Sequence, residues 1–166
     1  RIVITTHESA IRIISKVGKL ANAADRDHCL QYMTAVPLIF GNLTAEHYED
    51  SFHEAHPIID ILRDKMEVVE DDRFTREYLE EKKRSIANAV QVFFKDGSST
   101  ENVAVEYPIG HRRRREEGIP LLVDKFRNNL ATRFPAGRCR DIMELFDEQR
   151  PFEAVPVPEL VDYFVL

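Results

Sequence analysis

The feature that most restricts the fold is a pair of alternating runs flanking Asp96-Gly97. Ile86, Asn88, Val90, Val92 and Phe94 fall on one side of an extended chain, and Val103, Val105 and Tyr107 alternate in the same way. Asp-Gly supplies the backbone angles of a tight turn, so the two runs are predicted to pair antiparallel as a hairpin. Ile2–Thr6 and Met66–Glu70 read as further short strands. Between and after these strands the pattern turns helical. A helix is expected over 8–16, where Ala10, Ile11 and Ile14 recur at helical spacing until Gly18 ends it. Asp25 is placed as the cap of a helix over 26–36, before Pro37 disturbs it. Thr44 caps a short helix through residue 52, and Pro57 opens another through residue 65.

The charged stretch 71–84 reads as a surface connection with short helical turns, and 110–118 as a polar connection. Ile119, Leu122, Val123, Phe126, Leu130 and Phe134 then form the core stripe of an amphipathic helix, with Pro120 in its first turn. A helix over 138–149, through Ile142, Leu145 and Phe146, and a last short one from Pro158 complete the pattern. The expected fold is α+β, a small, mainly antiparallel sheet packed with helices in two layers, with the 166 residues forming a single domain.

Composition excludes several functions. With 43% hydrophobic and 31% charged residues, no apolar run approaches the roughly 20 residues of a membrane span. A net charge of −6 argues against a general nucleic-acid binder. Cys29 and Cys139 form neither a disulfide framework nor a metal-spaced motif, which fits a reducing compartment. The chain starts Arg-Ile-Val-Ile-Thr-Thr, with no initiator Met or leader pattern, and is expected to be a piece of a longer protein.

Two polar concentrations remain. In the 24–40 segment, His28, Gln31 and Tyr32 stand at i, i+3 and i+4, so a continuous helix presents an imidazole, an amide and a phenol on one face. Such a trio can hold a carboxylate or pass a proton, or it can be hydrogen-bonded structure at the edge of a core. The second is Gly110-His-Arg-Arg-Arg-Arg-Glu-Glu-Gly118. Its guanidinium forks suit carboxylates, and they equally suit pairing with Glu116 or Glu117 on a solvated loop. His47, His53 and His56 lie near Glu46 and Glu54, but His53-Glu-Ala-His56 lacks the spacing that puts two metal ligands one helical turn apart, and no metal is expected. Phosphate-binding loops, dinucleotide fingerprints and serine-nucleophile elbows are absent.

Taken together, Thr6-His-Glu-Ser-Ala-Ile-Arg-Ile-Ile14, the 24–40 segment, Val105-Glu-Tyr-Pro-Ile-Gly-His-Arg-Arg-Arg-Arg115 and Gly118-Ile-Pro-Leu-Leu-Val-Asp-Lys-Phe126 resemble the MmgE/PrpD family. That family includes 2-methylcitrate dehydratase, cis-aconitate decarboxylase and iminodisuccinate epimerase. The resemblance runs to the C-terminus and covers the smaller α+β lid domain and helical tail of a two-domain enzyme, with a larger helical N-terminal domain absent. It implies loss of water from 2-methylcitrate, a tricarboxylate of propionate breakdown, with no iron–sulfur cluster or other cofactor. It also implies a homodimer, located in the cytosol of a bacterium or the mitochondrial matrix of a eukaryote. Carried over by motif, Tyr32 and His28 are the catalytic candidates, and Gln31, Gly110, His111 and Arg113 bind substrate, in a site shared with the absent domain. Related decarboxylation or isomerisation, or a non-catalytic domain that binds an anion or a protein, are the alternatives. Gly18-Lys-Leu20 and Asn22-Ala-Ala-Asp25 stand where relatives carry proline, which leaves that loop less rigid.

Overall fold

The structure, a computed structural model, describes residues 1–147 and 152–165. It divides into two compact units, Arg1–Pro108 and Ile109–Leu166. The first is built on a four-stranded sheet of β1 (Ile2–Thr6), β2 (Met66–Glu70), β3 (Asn88–Val92) and β4 (Val103–Val105), in the spatial order β2-β1-β3-β4. The class is α+β as expected. β1 pairs antiparallel with β3, and β3 with β4, whereas β1 and β2 run parallel. The parallel pair follows from its long connection, which carries α1 (Glu8–Ile14), α2 (Ala23–Asp27), α3 (Leu30–Phe40), α4 (Asp50–Ala55) and α5 (Ile58–Arg63).

The hairpin forms where the alternation placed it. Asn88 faces Val105 and Val90 faces Val103, a register centred on Asp96-Gly97. Gly97 takes φ +88°, and the Asp96 carboxylate accepts the Ser98 amide at 2.9 Å. The buried side of β3 is the other one: Ala87 and Ala89 pack beneath Phe74 of α6 (Asp72–Leu79), while Val103 and Val105 are exposed. α6 occupies most of the stretch read as a surface connection. Asp71 caps it by accepting the Arg73 and Phe74 amides. Its one fully buried side chain is Phe74, and its mostly charged and polar residues make the stretch read as a surface connection.

The main core lies among the helices between β1 and β2. Leu20, Cys29, Tyr32, Ala35, Val36 and Ile59 are buried together, with Phe52, Leu62 and Met66 packed against them. Burying a side chain such as Ile59 contributes roughly 1.5–3 kcal/mol. The helix expected over 26–36 is two helices. Asn22, rather than Asp25, caps α2 by accepting the Asp25 amide at 2.9 Å. α2 ends at Asp27, Cys29 is extended, and α3 then runs through Pro37 to Phe40. Thr44 caps a single 3-10 turn, Ala45–Tyr48, and α4 follows as a separate element.

In the second unit, α7 (Arg115–Ala131), α8 (Ala136–Leu145) and α9 (Val157–Asp162) surround Leu130, Cys139 and Ile142. α7 starts inside the segment read as a connection, so Pro120 falls within the helix rather than in its first turn. Gly118 explains the early start: a Cβ there would sit 2.3 Å from the Ile109 carbonyl oxygen, an approach only glycine permits. Of the predicted stripe, Phe126 and Leu130 pack inward, but Ile119, Leu122 and Val123 are exposed among the described residues. The end of the helix expected over 138–149 falls partly on 148–149, outside the described residues.

Candidate functional site

Breaking the helix at Cys29 changes the geometry of the first polar cluster. His28 lies at the C-terminal end of α2, not on the α3 face, with its side chain 60% exposed and its Nδ1 hydrogen-bonded to the Asp27 carboxylate. Gln31 and Tyr32 are instead buried in the first turn of α3 and point to different partners. The three side chains therefore do not share one helical face.

Tyr32 is fully buried, and its hydroxyl donates to the His47 carbonyl at 2.6 Å. Burial raises its pKa above the ordinary phenol value, an effect eased by Arg26 and reinforced by Asp60. Its ring meets the edge of His53 at 5.6 Å and stacks near Tyr48 at 6.1 Å. Arg26, almost completely buried, donates Nε to the Tyr48 carbonyl at 2.7 Å and Nη2 to Asp50, and its Nη1 lies 3.5 Å from His53 Nδ1. His53 Nε2 bonds Asp60 at 3.0 Å, and Asp60 also pairs with Arg63. Each buried cation thus has a carboxylate partner, which makes its desolvation tolerable. A cleft of about 370 Å³ opens beside this chain of charges, lined by Lys19, Arg26, Asp50, His53 and Asp60.

Gln31 is tied down by its amide. Its oxygen accepts the Lys16 backbone amide at 3.2 Å and its nitrogen donates to Ser15 Oγ at 3.1 Å. Asp25 bonds the Ala21 amide and Lys16, which together hold its carboxyl below the usual range. His47, His53 and His56 are engaged with the Thr44 amide, Asp60 and the Phe52 carbonyl, respectively. Among the described residues, no three His, Cys, Asp or Glu side chains are grouped so as to hold a metal ion.

Gly110, His111 and Arg113 belong to the second unit. His111 caps the 3-10 turn Arg112–Arg114 by accepting the Arg113 amide at 3.1 Å, and Gly110 is open to solvent. Arg113 is exposed, whereas Arg114 makes a two-point pair with Glu117 at 2.7 and 3.2 Å. Of the arginine run, then, part supports the start of α7 and part faces solvent.

Sequence reasoning gave His7 no role. Placed where β1 ends and α1 begins, it is buried, and its Nδ1 accepts the Ala10 amide at 3.2 Å, leaving the neutral ring's proton on Nε2. Its ring stacks on Tyr78 at 4.2 Å. Burial lowers its pKa, so it stays a neutral imidazole able to donate from Nε2. Beside it, Thr6 Oγ1 is buried without a partner. The available signal was positional: a histidine at a strand-to-helix junction where Ser, Thr, Asp or Asn is the usual cap.

The model of the MmgE/PrpD C-terminal domain matches residues 1–149. The 2-methylcitrate dehydratase of Cupriavidus necator is 54% identical over 99% of this chain, and that of Escherichia coli K12 is 51% identical over all of it. A Yarrowia lipolytica protein named as a mitochondrial 2-methylcitrate dehydratase is 49% identical over 98% of the chain. The chain spans about a third of these relatives, 34%, 34% and 31% of their lengths. No helix among the described residues is long and apolar enough to cross a membrane. With a mixed α+β unit, a helical second unit and a domain match over most of its length, the chain belongs to the MmgE/PrpD family, whose C-terminal domain it carries.

Proposed function

We propose that this chain is the C-terminal part of a 2-methylcitrate dehydratase, a hydro-lyase that converts 2-methylcitrate into 2-methyl-cis-aconitate. The observation that carries the reading is identity of about half to enzymes of that name across essentially the whole chain. The chemistry removes a proton from a carbon beside a carboxylate and breaks the C–O bond of the hydroxyl, which leaves as water after taking up a proton. It needs no redox change, so positioned acids, bases and cations suffice. Tyr32, a phenol that carries its proton at neutral pH, suits donation to the departing hydroxyl, with the His47 carbonyl as its resting acceptor. His28, exposed beside Asp27, suits a substrate carboxylate or a proton relay. Gln31, Gly110, His111 and Arg113 bind the tricarboxylate, with Arg113 as its carboxylate clamp. His7, a neutral proton carrier at the end of β1, is a further acid/base candidate.

The rest of the site lies on a helical N-terminal domain outside this chain, and the full-length enzyme is a homodimer. Its compartment is the cytosol of a bacterium or the mitochondrial matrix of a eukaryote, in keeping with a Yarrowia relative named mitochondrial. The test is an absorbance assay for the conjugated product with the full-length protein. Turnover of 2-methylcitrate without added cofactor is expected, and little or none from the isolated 166 residues. A full-length protein that left 2-methylcitrate untouched while acting on another tricarboxylate would overturn the substrate assignment.

A further inference from the structure

One face of the sheet is apolar across all four strands. Opposed residues in neighbouring strands share a face, so Val68, Ile4, Val90 and Val103 form one row, and Met66, Ile2 and Val92 the next. At the β2 end this face is covered, since Met66 packs against the main core. Cover thins toward the other edge: Ile4 is 1% exposed, Val90 is half-buried and Val103 is 61% exposed. Val105, opposite Asn88, is exposed as well, as are Ile86 and Phe94 just beyond the two ends of β3. A row buried at one end and bare at the other marks a sheet face whose cover is incomplete among the described residues. On the opposite face Phe74 of α6 covers Ala87 and Ala89.

The way β1 is anchored identifies the missing cover. β1 lies between β2 and β3. The Arg1 carbonyl accepts the Phe93 amide at 2.8 Å, its backbone nitrogen donates to the Phe93 carbonyl at 3.2 Å, and its guanidinium lies 4.7 Å over the Phe93 ring. Polypeptide arriving at Arg1 therefore reaches the sheet between Val92 and Phe94, at one end of the bare face. The matched domain is a C-terminal one and the chain spans 34% of its Cupriavidus and Escherichia relatives, so the greater part of a protein of that length precedes β1. A segment tethered there meets this face at an effective concentration in the millimolar range, and consecutive elements usually neighbour one another in space. A helix suits the position because it satisfies its own backbone bonds, whereas a strand laid on the face needs a second sheet. The path back along β3 from Phe94 to Asn88 is about 20 Å, the length of about 13 helical residues.

We propose that the segment directly preceding Arg1 folds as an amphipathic helix and packs on the bare apolar face of β3 and β4, antiparallel to β1, completing the first unit. Apolar residues at i, i+3, i+4 and i+7 of that segment meet Val90, Val92 and Val103. The proposal rests on the reading of this chain as the C-terminal part of a longer protein, and it does not depend on which reaction that protein catalyses.

The test places the photo-crosslinking residue p-benzoylphenylalanine in the full-length protein at Phe94, at Val105 or, as a control, at Leu79 of α6, all three exposed here. Peptide mapping should find the Phe94 and Val105 crosslinks within about 30 residues upstream of Arg1, the span of such a helix and a short connection. Those from Val105 should fall about 10 residues further from Arg1 than those from Phe94, because the helix runs back along the strand. Leu79 should give no crosslink to that segment. Crosslinks from Phe94 and Val105 to a second copy or to any other part of the protein, the reversed order, or no crosslinks at all would overturn the proposal. Val103→Asp, which puts a charge beneath the helix, should lower the thermal midpoint of the full-length protein by about 3 °C or more. An unchanged midpoint would overturn the proposal as well. A full-length protein that dehydrates 2-methylcitrate without these crosslinks refutes only the docked helix, and one that gives them while leaving 2-methylcitrate untouched refutes only the enzyme assignment.

Discussion

The two units of the chain solve burial differently. In the first, Leu20, Cys29, Tyr32, Ala35, Val36 and Ile59 close a core between helices and sheet, and a smaller cluster under Phe74 covers the opposite face. In the second, three buried residues, Leu130, Cys139 and Ile142, hold the helices, while Ile119, Leu121, Leu122, Val157 and Val161 are each more than half exposed. Periodicity reports which side of a helix is apolar, and only packing decides whether that side is covered. Both units leave large apolar side chains in solvent, Ile13, Ile61 and Leu79 among them in the first, but among the described residues the first holds the larger set of buried ones.

Mutation should separate the units most sharply at their cores. Ile59→Ala is expected to destabilise the first unit by about 2–5 kcal/mol, the usual range for a fully buried large-to-small change. Leu122→Ala, at a site 51% exposed, should stay within about 0.5 kcal/mol in the same chain. Chemical denaturation reads both, and equal losses would show that the first unit is not the better packed. Amide exchange sharpens the contrast: β1 and β3 should be protected far longer than the first half of α7, and uniform protection would contradict the division.

A smaller effect is titratable. Burial holds His7 below its ordinary pKa of 6.5, so the unfolded chain takes up this proton first as pH falls. The His7 contribution is present above about pH 6.5 and is lost as pH drops from there toward the lowered folded value. His7→Gln should flatten the stability profile in that window. An unaltered slope would show that His7 does not carry it.

Much of the fold was readable because local chemistry and tertiary packing agree there. The strands Ile2–Thr6 and Met66–Glu70 have the bounds that alternation gave them, and Asp96-Gly97 set the hairpin register. Where they disagree, the sequence was silent. Nothing local announces that Cys29 is extended, because the break lets buried Arg26 reach Tyr48, His53 and Asp50 while Gln31 reaches back to Ser15. Those partners lie 15 or more residues away along the chain. α7 began early for a similar reason, since Gly118 fits against Ile109 only after the chain has turned back. Tyr32 and the basic loop were legible as motifs; the burial of Tyr32 and the placement of His7 depend on tertiary packing.

The proposed dehydratase mechanism uses Tyr32 as the proton donor, and Tyr32→Phe in the full-length protein isolates that role, since only the hydroxyl is removed. The steady-state kcat for 2-methylcitrate dehydration should fall about a hundredfold or more, the scale of a lost general acid, with the circular dichroism spectrum unchanged. A kcat equal to that of the unmodified enzyme would contradict the account and leave Tyr32 as a core residue bonded to the His47 carbonyl.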